Sequence, residues 1–216
     1  MIETTGDEIG IILYTLGYNI IMDTTISVTK KIIEETKEFT YAIGYFSEMI
    51  LPIIVLYFIY HDVFAHIVYF LGYFISIYLN IWFKNTIKEP RPKPFFRFLA
   101  IESTKKDAQQ IYGMPSGHSQ NAFYSIVYLY LYLRSVTPVY MTLPTPYFPE
   151  YYVWILISLC IGIITILERW WFRNHTMLQL CIGALVGSAL GYIIFTVQTE
   201  VYDIYKTSSV LRDLQS

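Results

Sequence analysis

Two histidines, His118 and His175, stand in this sequence among residues suited to a multiply charged anion. Lys84, Arg91 and Arg169 supply three positive charges, and the planar guanidinium forks match phosphate oxygens. Ser116 and Gly117 follow Pro115 where a polar stretch gives way to an apolar one, which predicts a turn, a Ser cap and a helix start. The free N–H groups and dipole at such a start also favour an anion. With phosphate held there, one imidazole can attack phosphorus while the other protonates the leaving oxygen, splitting a hard hydrolysis into two easier steps. His175 and Gln179 are four residues apart and share a helix face, so the amide oxygen can accept from one ring nitrogen and leave the other free to attack.

Singly, each of these residues has a plainer use. Lysine and arginine beside an apolar run snorkel toward lipid headgroups, and "PSGH" reads equally as a turn with a cap. Glu168 can pair with a neighbouring arginine, whereas Glu48, inside an apolar run, is costly there and has no partner evident from sequence. It is the combination that points to phosphoryl chemistry.

Apolar segments must position these groups. The chain has 216 residues, 55% of them hydrophobic and 15% charged, with a positive mean hydropathy, which indicates a membrane protein. A net charge of −2 suggests no nucleic-acid partner. Cys160 and Cys181 lie inside apolar runs without a metal or disulfide signature. The first residues, "MIETTGDEIG", lack the basic start of a secretory signal, so the whole sequence is expected in the mature chain.

Segments 39–60, 63–83 and 177–197 are long enough to span a bilayer; 117–133 and 151–167 lie at the short end, and 9–22 suits a short span or an interfacial helix. Their length and lack of period-two alternation predict an all-α, polytopic membrane bundle of five to six transmembrane helices. Counting crossings puts 84–116 and 168–176 on one membrane face and 134–150 on the other, with Pro144 on that far side. Three polar patches therefore converge on one side: "KNTIKEPRP", "PSGHS" and "RWWFRNHTMLQ".

In order and spacing, these patches resemble the three-part signature of the type 2 phosphatidic acid phosphatase (PAP2) superfamily, whose fold is shared with vanadium haloperoxidases. Lys84, six residues and Arg91-Pro92 match its first motif; Pro115-Ser116-Gly117-His118 match the second; Arg169, five residues and His175 match the third. Two departures stand in the third motif: Gln179 where Asp is usual, and Glu168 where Ser often precedes the arginine. The resemblance implies that Lys84, Arg91, Ser116, Gly117 and Arg169 hold phosphate, that His175 is the nucleophile and His118 the acid and later the base, with Gln179 orienting His175 in the catalytic set. It implies no metal and no other cofactor. The run His175-Thr176-x-x-Gln179 is most similar to the dolichyl diphosphate phosphatase branch, which implies a polyisoprenyl diphosphate substrate in an endomembrane such as the endoplasmic reticulum of a eukaryotic host. An Asp exchanged for Gln179 is expected to keep the hydrogen bond, add charge and leave activity equal or higher.

Two other readings compete: a phosphatase for phosphatidic acid or another lipid monophosphate, and a non-catalytic membrane protein binding phospholipid headgroups with the same cations. Two imidazoles favour the enzyme, since binding needs only the cations. The expected organisation is a charged N-terminal segment with a short span or interfacial helix (1–38), a membrane-embedded core (39–197) and a polar tail (198–216). Lys88, Lys93, Arg97, Lys105, Lys106 and Arg173 add positive charge to the patch-bearing side, which the positive-inside rule makes cytoplasmic, whereas the resemblance favours the lumen or exterior. Gly183, Gly187 and Gly191, at steps of four, predict close approach of a neighbouring helix.

Overall fold

The computed structural model describes residues 6–92, 111–136 and 150–213. They form five helices: α1 (Gly6–Ile59), α2 (Val63–Ile87), α3 (Gly117–Val136), α4 (Glu150–Trp171) and α5 (Met177–Asp213). Among the described residues, four stretches are long and apolar enough to cross a membrane: Ile21–Ile59, Val63–Ile87, Tyr152–Trp171 and Met177–Ser208. The chain is an all-α, multi-pass membrane protein. Lys93, Arg97, Lys105, Lys106 and Pro144 lie outside the described residues.

The chain divides into two compact units, Met1–Ala42 and Ile43–Ser216. In the first, the segments read from sequence as a short helix and a charged stretch are one continuous part of α1. The stretch "KKIIEETKE" contains neither Gly nor Pro and is rich in good helix formers, so nothing breaks it. Lys31 and Glu35 pair at 3.9 Å one turn apart, and Thr25, Thr29 and Thr36 each donate to the carbonyl four residues back. α5 likewise runs past the expected boundary at 197.

In the second unit α3 is the hub, packing most extensively on α5 and also on α4 and α2. Its 20 residues give about 30 Å of helix, enough to span. It is the least apolar of the crossing segments because its buried face carries Ser119, Gln120, Asn121 and Ser125. α2 shows the complementary arrangement. Val63, Ile67, Leu71, Phe74, Tyr78 and Trp82 are exposed on one side, as lipid contact requires. Ala65, Tyr69, Gly72, Ser76, Asn80 and Lys84 are buried on the other, growing more polar toward the C-terminal end.

The core brings together Val55, Ile59, Ala65, Tyr69, Tyr124, Tyr128, Leu129, Leu133 and Phe195. Buried tyrosines need a partner for each hydroxyl, and these have one: Tyr69 bonds Ser125 Oγ at 2.8 Å, Tyr124 donates to Tyr69 O at 2.8 Å, and Tyr128 donates to Ala65 O at 3.1 Å. Tyrosines thus build much of the centre. Pro52 sits within α1 and cannot donate to the carbonyl of Glu48, four residues back. Tyr73 Oη donates to that carbonyl instead, at 3.1 Å.

The glycine stripe of α5 lies directly on the backbone of α3. A Cβ at Gly183 would stand 2.6 Å from Ser116 O, one at Gly191 2.6 Å from Tyr124 O, and one at Gly187 would collide with Gln120 O. Only glycine allows the two helices this separation.

Candidate active site

All three polar patches meet at one end of the bundle. α2 ends with Lys88 in the left-handed region at φ 54°, its N–H closing on Lys84 O. The chain then turns back so that Glu89 O accepts from Gly113 N at 2.8 Å and Pro90 pairs with Tyr112 in an isolated antiparallel bridge. These contacts carry Arg91 toward the start of α3. Ser116 N donates to Gln179 O at 3.1 Å and Ser119 Oγ to Leu180 O at 2.8 Å, which ties α3 to the first turn of α5. After α4, the carbonyl of Arg169 accepts from Asn174 N at 2.9 Å and His175 N at 3.1 Å. Arg173, at φ 55°, makes the reversal, and Arg91 Nη1 donates to Asn174 O at 3.3 Å.

A cavity of about 260 Å³ opens among these ends, lined in part by Lys84, Arg91, Gly117, His118 and His175. Five of the eight residues expected at the site therefore border one space. Ser116, Arg169 and Gln179 are buried, the first next to Gly117 in sequence and the other two bonded to His175. The Ser116 hydroxyl makes no hydrogen bond among the described residues, so the side-chain cap expected at this position is not formed and a buried hydroxyl is left available. Arg169 Nη2 is likewise buried without a hydrogen bond among the described residues. Glu168 Oε2 lies 2.8 Å from Arg169 Nε, an ion pair between adjacent residues whose angles do not make a hydrogen bond. The Arg169 guanidinium also lies over the Tyr45 ring, 5.5 Å from its centre.

The residue the sequence reading could not place, Glu48, belongs here. Its Oε1 is 3.6 Å from His118 Nδ1 and accepts from Asn121 Nδ2 at 3.2 Å. The polar faces of α2 and α3 continue this network: Ser76 Oγ donates to Asn121 Oδ1, and Asn80 Nδ2 donates to Gln120 Oε1 and Pro115 O. The buried polar groups of α3 thus hold the His118 end of the helix to α2.

The Gln179 side chain has four partners. Its Oε1 lies 3.2 Å from His175 Nδ1 and accepts from Thr176 N at 3.2 Å, while the backbone N–H of Gln179 bonds Thr176 Oγ1 at 3.3 Å. The last two contacts form a capping box at the start of α5, a signal present in the spacing Thr176-x-x-Gln179. Its Nε2 donates to Glu89 Oε1 at 2.8 Å and Pro90 O at 3.0 Å. A donor on one side and two acceptors on the other fix which amide atom is oxygen, so His175 carries its proton on Nδ1 and a lone pair on Nε2. Burial, then the positive charges of Arg91, Lys84 and Arg169, hold the imidazole well below its ordinary pKa, against a smaller opposing effect of the Gln179 bond. The ring is neutral at neutral pH, with Nε2 unprotonated.

Comparisons place this geometry among known proteins. The fold is similar to the crystal structure of a transmembrane PAP2-type phosphatidylglycerolphosphate phosphatase from Bacillus subtilis, with a TM-score of 0.58 and 20% identity over 77% of this chain and 78% of that one. No curated protein matches the sequence. Residues 65–203, which carry all three motifs, match the PAP2 superfamily, and the chain belongs to that superfamily.

Proposed function

We propose that this protein is an integral-membrane lipid phosphatase that removes phosphate from a lipid diphosphate, of the polyisoprenyl (dolichyl) class, through a phosphohistidine on His175. The observation that carries the reading is the fixed Nδ1–H tautomer of His175, buried beside a cavity shared with His118, Lys84 and Arg91. Lys84, Arg91 and Arg169, with Ser116 and the Gly117 end of α3, hold the terminal phosphate. His175 Nε2 attacks phosphorus, the bond to the lipid-side oxygen breaks, and His118 gives that oxygen its proton. Water then attacks the phosphorus, the N–P bond breaks, and His118 takes the proton back. Glu48 holds His118 in register across this cycle, and no step calls for a metal.

A neutral amide at position 179, where the family has a carboxylate, favours the more highly charged diphosphate, because a carboxylate near the bound anion repels it in proportion to charge. Substrate choice is tested by phosphate release from dolichyl diphosphate, dolichyl monophosphate, phosphatidic acid and phosphatidylglycerolphosphate, with and without chelator. The reading expects the diphosphate to be preferred and chelator to have no effect. Preference for either phospholipid removes the dolichyl assignment, and turnover of none favours a headgroup-binding protein.

A further inference from the structure

We propose that Glu89 is a positioning residue for His175, supplying through the Gln179 amide the negative charge that a directly bonded carboxylate would otherwise supply. The inference rests on His175 being the nucleophile in the reading above. An attacking imidazole becomes cationic as the N–P bond forms, so charge behind its Nδ1–H favours the step. A neutral amide in contact with that N–H offers only a dipole. Behind the amide stands a carboxylate: His175 Nδ1–H meets Gln179 Oε1 at 3.2 Å, and Gln179 Nε2–H meets Glu89 Oε1 at 2.8 Å. Donation from Nε2 to a charged acceptor polarises the amide and makes Oε1 the stronger acceptor, as in any chain of hydrogen bonds.

The backbone is built to hold this relay. Glu89 O is bonded by Gly113 N at 2.8 Å and Pro90 is bridged to Tyr112, so the carboxylate approaches from a fixed main chain. Gly113 lies against the Gln179 amide: a Cβ there would fall 2.6 Å from Cδ. The other charged and titratable groups facing His175 are Lys84 on α2, Arg91 beyond it, Arg169 on α4 and His118 on α3. Three of these four carry positive charge, and Glu89 is the carboxylate that reaches His175 through the Gln179 amide.

This arrangement reverses the expectation for Gln179→Asp. The introduced carboxylate would face Glu89 Oε1 and Pro90 O with no donor between them. Activity therefore falls in Gln179→Asp alone, falls in Glu89→Gln alone, and recovers in the double variant Glu89→Gln/Gln179→Asp, where the amide and carboxylate exchange places and the donor between them is restored.

The experiment uses the full chain in detergent micelles with two readouts: phosphate release from dolichyl diphosphate, and ring-nitrogen NMR titration of His175. Glu89→Gln keeps an acceptor for Gln179 but removes the charge. It should lower kcat by about tenfold with little change in KM, and make His175 harder to protonate. The double variant should regain most of both. A purely structural Glu89 predicts an unmoved His175 titration in Glu89→Gln and additive losses in the double variant, and either result overturns the proposal. If wild type turns over no lipid phosphate yet the titration shifts as described, the phosphatase reading fails while the relay stands.

Discussion

Exchanging Gly183 for alanine tests whether the contact between α3 and α5 sets the catalytic geometry. The new Cβ would lie 2.6 Å from Ser116 O and 3.2 Å from Ser116 N. Ordinary carbon–oxygen contact needs about 3.4 Å, so the two backbones must part by roughly 0.8 Å. Neither can yield by a rotamer change, since the clash is with main chain. Overpacking of this kind costs about 1–3 kcal/mol. The displaced atoms belong to the residue whose N–H bonds Gln179 O at 3.1 Å, so the shift separates the Ser116 end of α3 from the His175 end of α5. Misplacement by about 1 Å costs on the order of a hundredfold in rate. Gly191→Ala is the control: its Cβ meets Tyr124 O at the same 2.6 Å, two turns of α5 further from the site. Both variants should lose similar thermal stability in detergent, while phosphate release falls about ten- to a hundredfold more in Gly183→Ala. Equal loss of activity in the two, or an unaltered Gly183→Ala, refutes the argument.

Three further outcomes follow from the geometry. His118→Ala should slow turnover by about 10²–10⁴-fold for lipid monophosphates, whose leaving oxygen needs a proton, and less for diphosphates, whose leaving group is itself a phosphate; rates across the two substrate classes check this. Because His175 is held below its ordinary pKa of 6.5, the unfolded chain binds this proton first as pH falls, so stability drops below about pH 6.5; thermal midpoints from pH 7.5 to 5 should show a shallower decline in His175→Asn. Tyr73→Phe strips the carbonyl of Glu48 of its donor and should cost about 1–3 kcal/mol, a penalty that shrinks in a Pro52→Ala background where the helix N–H returns, as a double-mutant cycle in denaturation would measure.

That the three patches meet at one end of the bundle was legible because crossing parity follows from counting apolar segments, and patches separated by even numbers of crossings share a face. Half of the cavity lining was legible for a related reason: Lys84, Arg91, Gly117, His118 and His175 are charged or turn-forming groups at the ends of apolar runs, where polar residues are conspicuous, whereas Tyr73, Asn80 and Asn121 lie within the runs. What escaped depends on tertiary partners. Glu89 looks like one more charge in "IKEPRP" until the chain reversal at Lys88 and Gly113 brings it to Gln179. Glu48 could be seen as costly, but its companions Asn121 and His118 come from another helix. Ser116 reads as a cap by type, and only the packing shows its hydroxyl left without a partner among the described residues. α1 was divided at its charges because a membrane reading weighs hydropathy, whereas helix continuity depends on backbone propensity.

The central claim, that His175 becomes covalently phosphorylated, is tested most directly by rapid acid-free quenching of the enzyme with dolichyl diphosphate carrying a radiolabelled terminal phosphate, followed by mapping of the label. Label should appear on His175 within the first turnover, survive alkali, be lost in acid, and be absent from His175→Ala, while His118→Ala, slowed in the water-attack step, should hold it longer for diphosphate. Turnover by wild type at the normal rate with no label at His175, or substantial activity in His175→Ala, would contradict the account.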